Sequence, residues 1–578
     1  MSANGLNAFL INGYDPHMSE YVPARWQSRE YISGFSGSYG WLAITLHKAV
    51  LWTDSRYYLQ AGQQLEGTGI EMLKARDTDT PTIENWLAGE LKPDDVVGFD
   101  GSCYSTSEVQ IFQKVFTAHH LKMNYEIDLL NQIWTDRPSV SDHKAFLHPV
   151  KWAGLSRTQK FEQIRSEMAK QNADTMIISA LDDLGWTFNI RGSDVDCNPV
   201  VMGYGIISHK HVQLFIDFAK LDDQQIAELK SDGVELLPYD QFFFELKTLK
   251  NKKLWFDPNR TNFLIHQTIK DENQLFNGLS IPALLKSCKN DAEMEGMKKA
   301  HITDGLALLD FQLWLEGAMV HETITEYDVA QKLIEFRAKK IGYVGVSFFP
   351  IVGYLDHGAI VHFRVSPETA NVLKPEGVLL FDSGGQYEFG TTDITRTIAL
   401  GPVTDQIKKD FTLVLKGMIN LSMIKFPKGT HGCHLDVLAR SALWKVNQNY
   451  GHGTGHGVGA FMNVHEGPGS IRPDLNDQPI RLGNVFSNEP GMYRQGEYGI
   501  RVENLMYCVA DVSNEFGDFY QFKTLTKYPI DTNLIDLNLL TSDEKEWLNN
   551  YHQSLLSGLS YFTNSDQFAL LKRLTQPV

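Results

Sequence analysis

Five side chains between residues 382 and 503 have the types and spacing of a metal-holding set: Asp382, Asp393, His456, Glu489 and Glu503. Asp382 follows the apolar run Val378-Leu379-Leu380-Phe381, and Asp393 lies eleven residues on, within TTDITRT. The Ser383-Gly384-Gly385 stretch between them permits a tight reversal, so both aspartates are expected to face each other on one hairpin. His456 stands in GTGHGVG, where glycines remove side chains from around one imidazole. Glu489 ends VFSNE before Pro490, and Glu503 follows fourteen residues later in GIRVENL. Four carboxylates and one imidazole, with no thiolate, are hard to borderline donors that suit Mn, Co, Fe or Zn better than a structural zinc finger. Without cations, four converging anions repel one another and are costly to desolvate. Two divalent ions cancel that charge, and a pair ~3.5–4 Å apart generates a hydroxide nucleophile near neutral pH. The expected chemistry is metal-assisted hydrolysis.

Taken singly, each of these residues reads as an ordinary surface or turn residue, Asp382 in Asp-Ser-Gly-Gly above all. Other motif readings fail on detail. GHGTGHGVG does not match G-x-G-x-x-G, and no Gly-Lys-Ser/Thr phosphate loop occurs. His321-Glu322 and His465-Glu466 lack the second histidine of an H-E-x-x-H helix. GFSGSYG misses the last glycine of G-x-S-x-G. His431, His434 and the His119-His120 pair read as surface or core residues.

The elements that must position this set lie in a third segment, beginning near Lys289. It opens with a helical stretch whose apolar residues recur at helical spacing, with Gly317 marking its expected end. Beyond residue 340, short apolar strands alternate with Gly-rich turns. The two earlier segments look alike. In the first, GWLAITLHKAVLWTD predicts a hairpin turning at Leu46-His47-Lys48, and RYYLQAGQQLEG predicts a helix closed by Gly67. In the second, Ser156 is placed to cap a helix, and VMGYGIISHKHVQLFIDFAKL predicts a hairpin turning at Ser208-His209-Lys210. Each hairpin ends in an aspartate, Asp54 and Asp217, so two copies of one α/β fold are expected.

The 578 residues set a prior of three or four domains at ~150 residues each. The net charge of −17 argues against phosphate-backbone binding as the main task, so no nucleic-acid partner is expected. Five separated cysteines without a Cys-x-x-Cys pair fit thiols in a reducing compartment. No apolar run reaches the ~18 residues of a membrane span, and neither terminus reads as a targeting or anchoring signal. No membrane association and a cytoplasmic location are the expectations.

At these residues the sequence resembles aminopeptidase P, the X-Pro aminopeptidase of the metallopeptidase family that includes prolidase and methionine aminopeptidase. It is most similar to the long, three-domain cytosolic type. DSGGQYEFGTTDITRT, GTGHGVGAFMNVHEGPG, NEPGMY and GIRVEN carry the likeness, with LWTDSRYYLQA and EKEWLNNYH outside the catalytic segment. The departures are Gly385 where many relatives have Ala and Asn488 where Asp is common, and neither changes a ligand type. The resemblance implies an α/β protein: N-terminal creatinase-like α/β domains over residues 1–150 and 151–288, then a pita-bread catalytic domain over 289–578. It implies two divalent metals, manganese first, with Co, Fe or Zn as alternatives. Asp393 and Glu503 would bridge them, Asp382 completing one site and His456 with Glu489 the other. The implied activity releases the N-terminal residue from proline-containing peptides, by attack of a metal-bridging hydroxide on the X-Pro carbonyl. His452 or His362 would stabilise the oxyanion, and Glu489 would move the proton. His362 and His465 would flank the proline ring, while Tyr493 and Arg501 match further active-site positions. A homodimer is also implied.

Two other readings differ in testable ways. Prolidase shares the ligands, is typically shorter and cleaves dipeptides. A peptidase-like binding module would lack the ligand set, and all five positions are intact here.

Overall fold

The computed structural model describes residues 1–578 and divides into two compact units, Met1–Leu285 and Lys286–Val578. The first unit holds two six-stranded sheets. In one, the spatial order is Glu71–Lys74, Ala49–Thr53, Trp41–Thr45, Ala8–Ile11, Val96–Gly98, Lys122–Asn124. In the other it is Val234–Leu237, Val212–Ile216, Gly203–Ser208, Thr175–Ile178, Lys253–Phe256, Gln274–Asn277. The pairing directions match strand for strand. The hairpin and its junction to the first strand are antiparallel, and every other ladder is parallel. The repeat expected from the two hairpins is therefore a repeat of topology. Both hairpins turn where expected, after Thr45 and after Ser208. The central strands AFLI and TMII are buried on every residue, which is why they read as unbroken apolar runs.

Helix starts follow capping chemistry. Ser156 accepts from the Gln159 N–H, and the Gln159 side chain returns to the Ser156 N–H, opening Arg157–Lys170. Ser105 with Glu108 and Asp222 with Gln225 repeat the device. The helix expected to reach Gly67 stops earlier, at Tyr58–Gln64.

The second unit begins with the 31-residue helix Asp291–His321, boxed by Asn290 and Glu293. It runs a turn beyond Gly317, because Ala318 is buried and draws the next turn onto the core. Helix Glu326–Ala338 packs against it, and strands Ile351–Tyr354, Val378–Ser383 and Ile394–Ala399 follow as an antiparallel sheet. The pattern then recurs: paired helices Asp405–Met423 and Gly432–Trp444, followed by a mainly second-half sheet. That sheet runs Lys425–Pro427, Gly517–Thr524, Asn504–Asn514, Val485–Asn488, Gly455–Gly457, Glu466–Ile471. A helix pair leading into antiparallel strands thus occurs twice, giving the second unit its two halves. One apolar core joins them, with Phe311, Phe381, Phe411 and Ile500 all fully buried.

The reversal between the two aspartates differs from expectation. Ser383-Gly384-Gly385 is not the turn. The chain leaves strand Val378–Ser383 and forms a second small hairpin, Gly385–Tyr387 against Gly390–Thr391, before re-entering the sheet at Ile394. Gly384 serves close approach instead: a Cβ there would lie 2.0 Å from the Thr392 carbonyl oxygen and 2.2 Å from Ser347 Oγ. No helix is long and apolar enough to cross a membrane, and all five cysteines are free thiols.

Candidate metal centre

Register places the first two aspartates. Asp382 pairs with Thr395 and Ser383 with Ile394, so Asp393 sits one residue outside the ladder, at the same end as Asp382. His456 is the middle residue of Gly455–Gly457, at a bulge. Its flanking glycines do more than clear space around the ring. A Cβ at Gly455 would lie 2.0 Å from the Ser487 carbonyl, and one at Gly457 would lie 2.1 Å from the Glu466 carbonyl. Glu489 follows strand Val485–Asn488, and its N–H donates to the Thr454 carbonyl at 2.8 Å. Glu503 joins strands Tyr498–Arg501 and Asn504–Asn514, and its N–H donates to the Thr395 carbonyl at 3.1 Å.

The side chains converge. One ligand atom each from Asp393, His456 and Glu503 lies within 4.8 Å of the others. His456 Nε2 is 3.5 Å from both Asp393 Oδ2 and Glu489 Oε1. Its Nδ1 is 2.9 Å from the Gly457 carbonyl, which fixes the tautomer and leaves Nε2 facing the carboxylates. Ser487 binds both sides, accepting from the His456 N–H and donating to Glu489 Oε1.

Arg501 is the cation built into the cluster. Its Nη2 donates to Asp382 Oδ2 at 2.7 Å, and its Nε to Thr395 Oγ1 at 3.1 Å. Thr395 in turn donates to Glu503 Oε2 at 2.8 Å. Nη1 donates to the Tyr493 hydroxyl at 2.8 Å, and that hydroxyl lies 2.8 Å from His452 Nε2. His452 therefore sits on Tyr493, with its Nδ1 directed to the Gly453 carbonyl at 2.8 Å. The His465 ring meets the His456 ring edge-on, with centroids 4.4 Å apart. His362 follows Val361, whose carbonyl accepts from Arg501 Nη1 at 3.4 Å. The residues singled out from the sequence thus gather in one region, with His362 next in chain to Val361, whose carbonyl Arg501 binds.

Charge dominates the chemistry of the cluster. Burial, with Asp393 and Glu489 adding to it and Arg501 opposing, pushes Asp382 up to about 7. Glu503 stands well above the usual carboxylate range, through burial and then through Asp393, Glu489 and Asp382. Glu489 is also raised, because burial outweighs the pull of His456. Burial alone would lower His456, but Asp393 and Glu489 outweigh it and hold the imidazolium up to about 9. One guanidinium cannot neutralise four carboxylates, so protons are retained in place of cations. Asp382 Oδ1 is buried and has no hydrogen-bond partner, the sort of atom a cation satisfies. The donor set and this orphaned oxygen fit a pair of divalent metals.

A pH dependence follows. Protons and cations compete for the same atoms, so metal affinity should rise as pH rises through about 7 and on toward about 9. The stability these protons lend the metal-free fold is complete below the ordinary pKa values. It is lost as pH climbs through the raised ones, so the metal-free protein weakens across that window. Metal titration calorimetry at pH 7, in buffers of different ionisation enthalpy, should show release of at least about one proton, that of His456. Zero release would contradict the charge state described.

Some supporting residues carry no sequence signal. Glu466 is buried between Lys286, at 3.2 Å, and Lys289, and these charges fix the strand that begins after His465. Arg396 is fully buried and binds the Glu503 carbonyl, and its Nη2 donates to Asn504 Oδ1 at 2.8 Å. Arg337 donates to Ser383 Oγ at 2.9 Å, next to Asp382, while paired with Asp304. Each acts across a long stretch of chain, where local pattern says nothing.

Family models match along the chain. A Creatinase/Prolidase N-terminal domain matches residues 1–128, and a second matches 136–293. Metallopeptidase family M24 matches 295–510, and the C-terminal region of peptidase M24 matches 518–578. The chain is 38% identical to Xaa-Pro aminopeptidase 1 of Dictyostelium discoideum, over 96% of this chain and 91% of that protein. It is likewise 38% identical to aminopeptidase P2 of Arabidopsis thaliana, over 96% of this chain and 84% of that one. The crystal structure of the X-prolyl aminopeptidase of Caenorhabditis elegans, a cytosolic enzyme with a di-nuclear active site, matches with a TM-score of 0.95. It shares 33% identity over 99% of this chain and 95% of that one. The Xaa-Pro dipeptidase of Bacillus anthracis, at 23% identity and a TM-score of 0.52 over 65% of this chain, shares the fold. On identity sustained over nearly the whole of both chains, this chain belongs to the Xaa-Pro aminopeptidase family of M24 metallopeptidases.

Proposed function

We propose that this protein is a metal-dependent hydrolase that releases the N-terminal residue from peptides with proline in second position. The observation that carries the reading is the convergence of Asp382, Asp393, His456, Glu489 and Glu503, with a buried carboxylate oxygen left unbonded. Asp382, Asp393, His456, Glu489 and Glu503 are the residues that would hold two divalent metals. Manganese is the proposed ion, since the donors alone admit Co, Fe or Zn. When bound, the metals supply an acidified water and a Lewis acid for the scissile carbonyl.

The chain's own residues do the rest. Glu489, whose side chain accepts from Ser487 Oγ beside His456, is the candidate to take the proton from the nucleophile and deliver it to the proline nitrogen. His452, held by the Tyr493 hydroxyl that Arg501 fixes in turn, is the first candidate to stabilise the oxyanion. His362 is the alternative for that role, and His362 with His465 would flank the proline ring. Arg501 holds Asp382 directly and Glu503 through Thr395, which keeps two ligands in orientation. An X-Pro bond has no N–H and a fixed φ, so a site that attacks the carbonyl without gripping that N–H is suited to it.

A homodimer and a cytoplasmic location belong to the same proposal. They rest on the family likeness and on the cytosolic nematode enzyme. The substrate test compares Arg-Pro-Pro with the dipeptide Gly-Pro. Cleavage of the tripeptide at least ~10-fold faster is expected, since contacts beyond proline contribute to transition-state binding. Preference for Gly-Pro would favour a prolidase-like dipeptidase.

A further inference from the structure

Helix Gly432–Trp444 presents Asp436 and Arg440, one helical turn apart and ion-paired at 2.6 Å. Such an i,i+4 pair is ordinarily a solvated surface bridge worth little. Here both side chains are almost wholly buried, at 3% and 2% exposure. A buried ion pair is weak ground for stability, because desolvation offsets its attraction. What distinguishes this one is where its remaining bonds go: every one recorded reaches the segment Asn449–Thr454.

Arg440 Nη1 donates to Asn449 Oδ1 at 3.0 Å and to the Tyr450 carbonyl at 2.7 Å. Its Nη2 donates to the His452 carbonyl at 2.7 Å. The guanidinium lies over the Tyr450 ring, 3.9 Å from its centroid. Asp436 Oδ1 accepts from Thr454 Oγ1 at 2.6 Å, and the Tyr450 hydroxyl closes the ring of bonds on Thr454 Oγ1 at 2.5 Å. Thr454 is fully buried, and its carbonyl receives the Glu489 N–H. The segment held this way carries His452, braces Glu489 and leads directly into Gly455-His456. Tyr450 also faces the His452 ring, with centroids 4.9 Å apart.

We propose that Asp436 and Arg440 are positioning residues for the hydrolysis. They clamp Asn449–Thr454 so that the His452 imidazole is held against Tyr493 and the backbone of Glu489 against Thr454. The inference rests on the proposed roles of those two residues. A network with all its members satisfied is stiff, and a shift of one ångström at the reacting groups is costly. The clamp acts on orientation, so its loss should lower turnover more than substrate affinity or metal content.

The experiment uses the full-length, metal-loaded protein with Arg-Pro-Pro as substrate. Asp436→Asn and Thr454→Val are compared with Thr454→Ser, which keeps the hydroxyl. Should Asp436→Asn fail to fold, Thr454→Val still severs the clamp at one buried bond. A ~10–100-fold fall in kcat is expected for Asp436→Asn and Thr454→Val, the range seen when groups that orient active-site residues are removed. KM should stay within ~2-fold, metal stoichiometry should hold, and Thr454→Ser should be near wild type. Unchanged kcat in Thr454→Val, or metal lost in step with activity, would overturn the proposal. Glu489→Gln run in parallel separates the two readings. If it stays active, the site assignment has failed. If it is inactive while Thr454→Val is normal, only the clamp has failed.

Discussion

Asp393→Ala is expected to lower hydrolysis of Arg-Pro-Pro by at least ~10³-fold and to release metal. Asp393 is buried and stands at the centre of the charge cluster. It faces His456 Nε2 and raises the pKa values of Asp382, Glu489, His456 and Glu503. In the proposed arrangement it would hold metal together with His456 and Glu503, whose ligand atoms lie within 4.8 Å of its own. Metal chemistry contributes several kcal/mol to such reactions, and each ~1.4 kcal/mol is tenfold in rate, which gives the magnitude. The metal-free variant should nevertheless fold, because removing one of four crowded anions relieves repulsion. Full metal stoichiometry with surviving activity would remove Asp393 from the ligand set.

Glu489→Gln is expected to lower kcat by ~10²–10⁴-fold, the range for a lost general acid–base group. The amide keeps the shape of the side chain and can still accept from Ser487 Oγ, but it cannot carry the proton. The change also removes one anion next to His456, which lies 3.5 Å away, so the imidazole should lose its proton at lower pH. Metal affinity should fall less than in Asp393→Ala, since Glu489 is the more exposed of the two. Equal losses of metal and rate would make Glu489 a ligand with no role in proton transfer.

What the sequence discloses and what it hides divide by range. The two hairpins in the first unit were legible because apolar strands flank short polar turns, and their likeness pointed to a repeated topology. The Ser156 cap was legible because its partner is three residues away. The candidate ligands stand out because His456, Glu489 and Glu503 lie in short strand segments punctuated by glycine. The Ser383-Gly385 turn was misread. Glycine marks both reversal and close backbone approach, and only the fold shows that Thr392 and Ser347 crowd Gly384. Asp436 and Arg440 look like a surface pair until burial is known. His452 and Tyr493 are 41 residues apart, and Lys289 and Glu466 are 177 apart, so neither contact has a local trace. Helix Asp291–His321 outran its glycine because burial of Ala318 outweighs the modest cost of Gly317 in a helix.

The central claim is that hydrolysis of an X-Pro bond depends on two metals held by this cluster. The most direct measurement strips the purified protein of metal, adds back Mn, and follows cleavage of Arg-Pro-Pro, with Asp393→Ala carried alongside. The account predicts an inactive stripped protein, recovery of activity by the wild type as ~2 Mn per chain bind, and no recovery by Asp393→Ala. Undiminished cleavage by the stripped wild-type protein would contradict it.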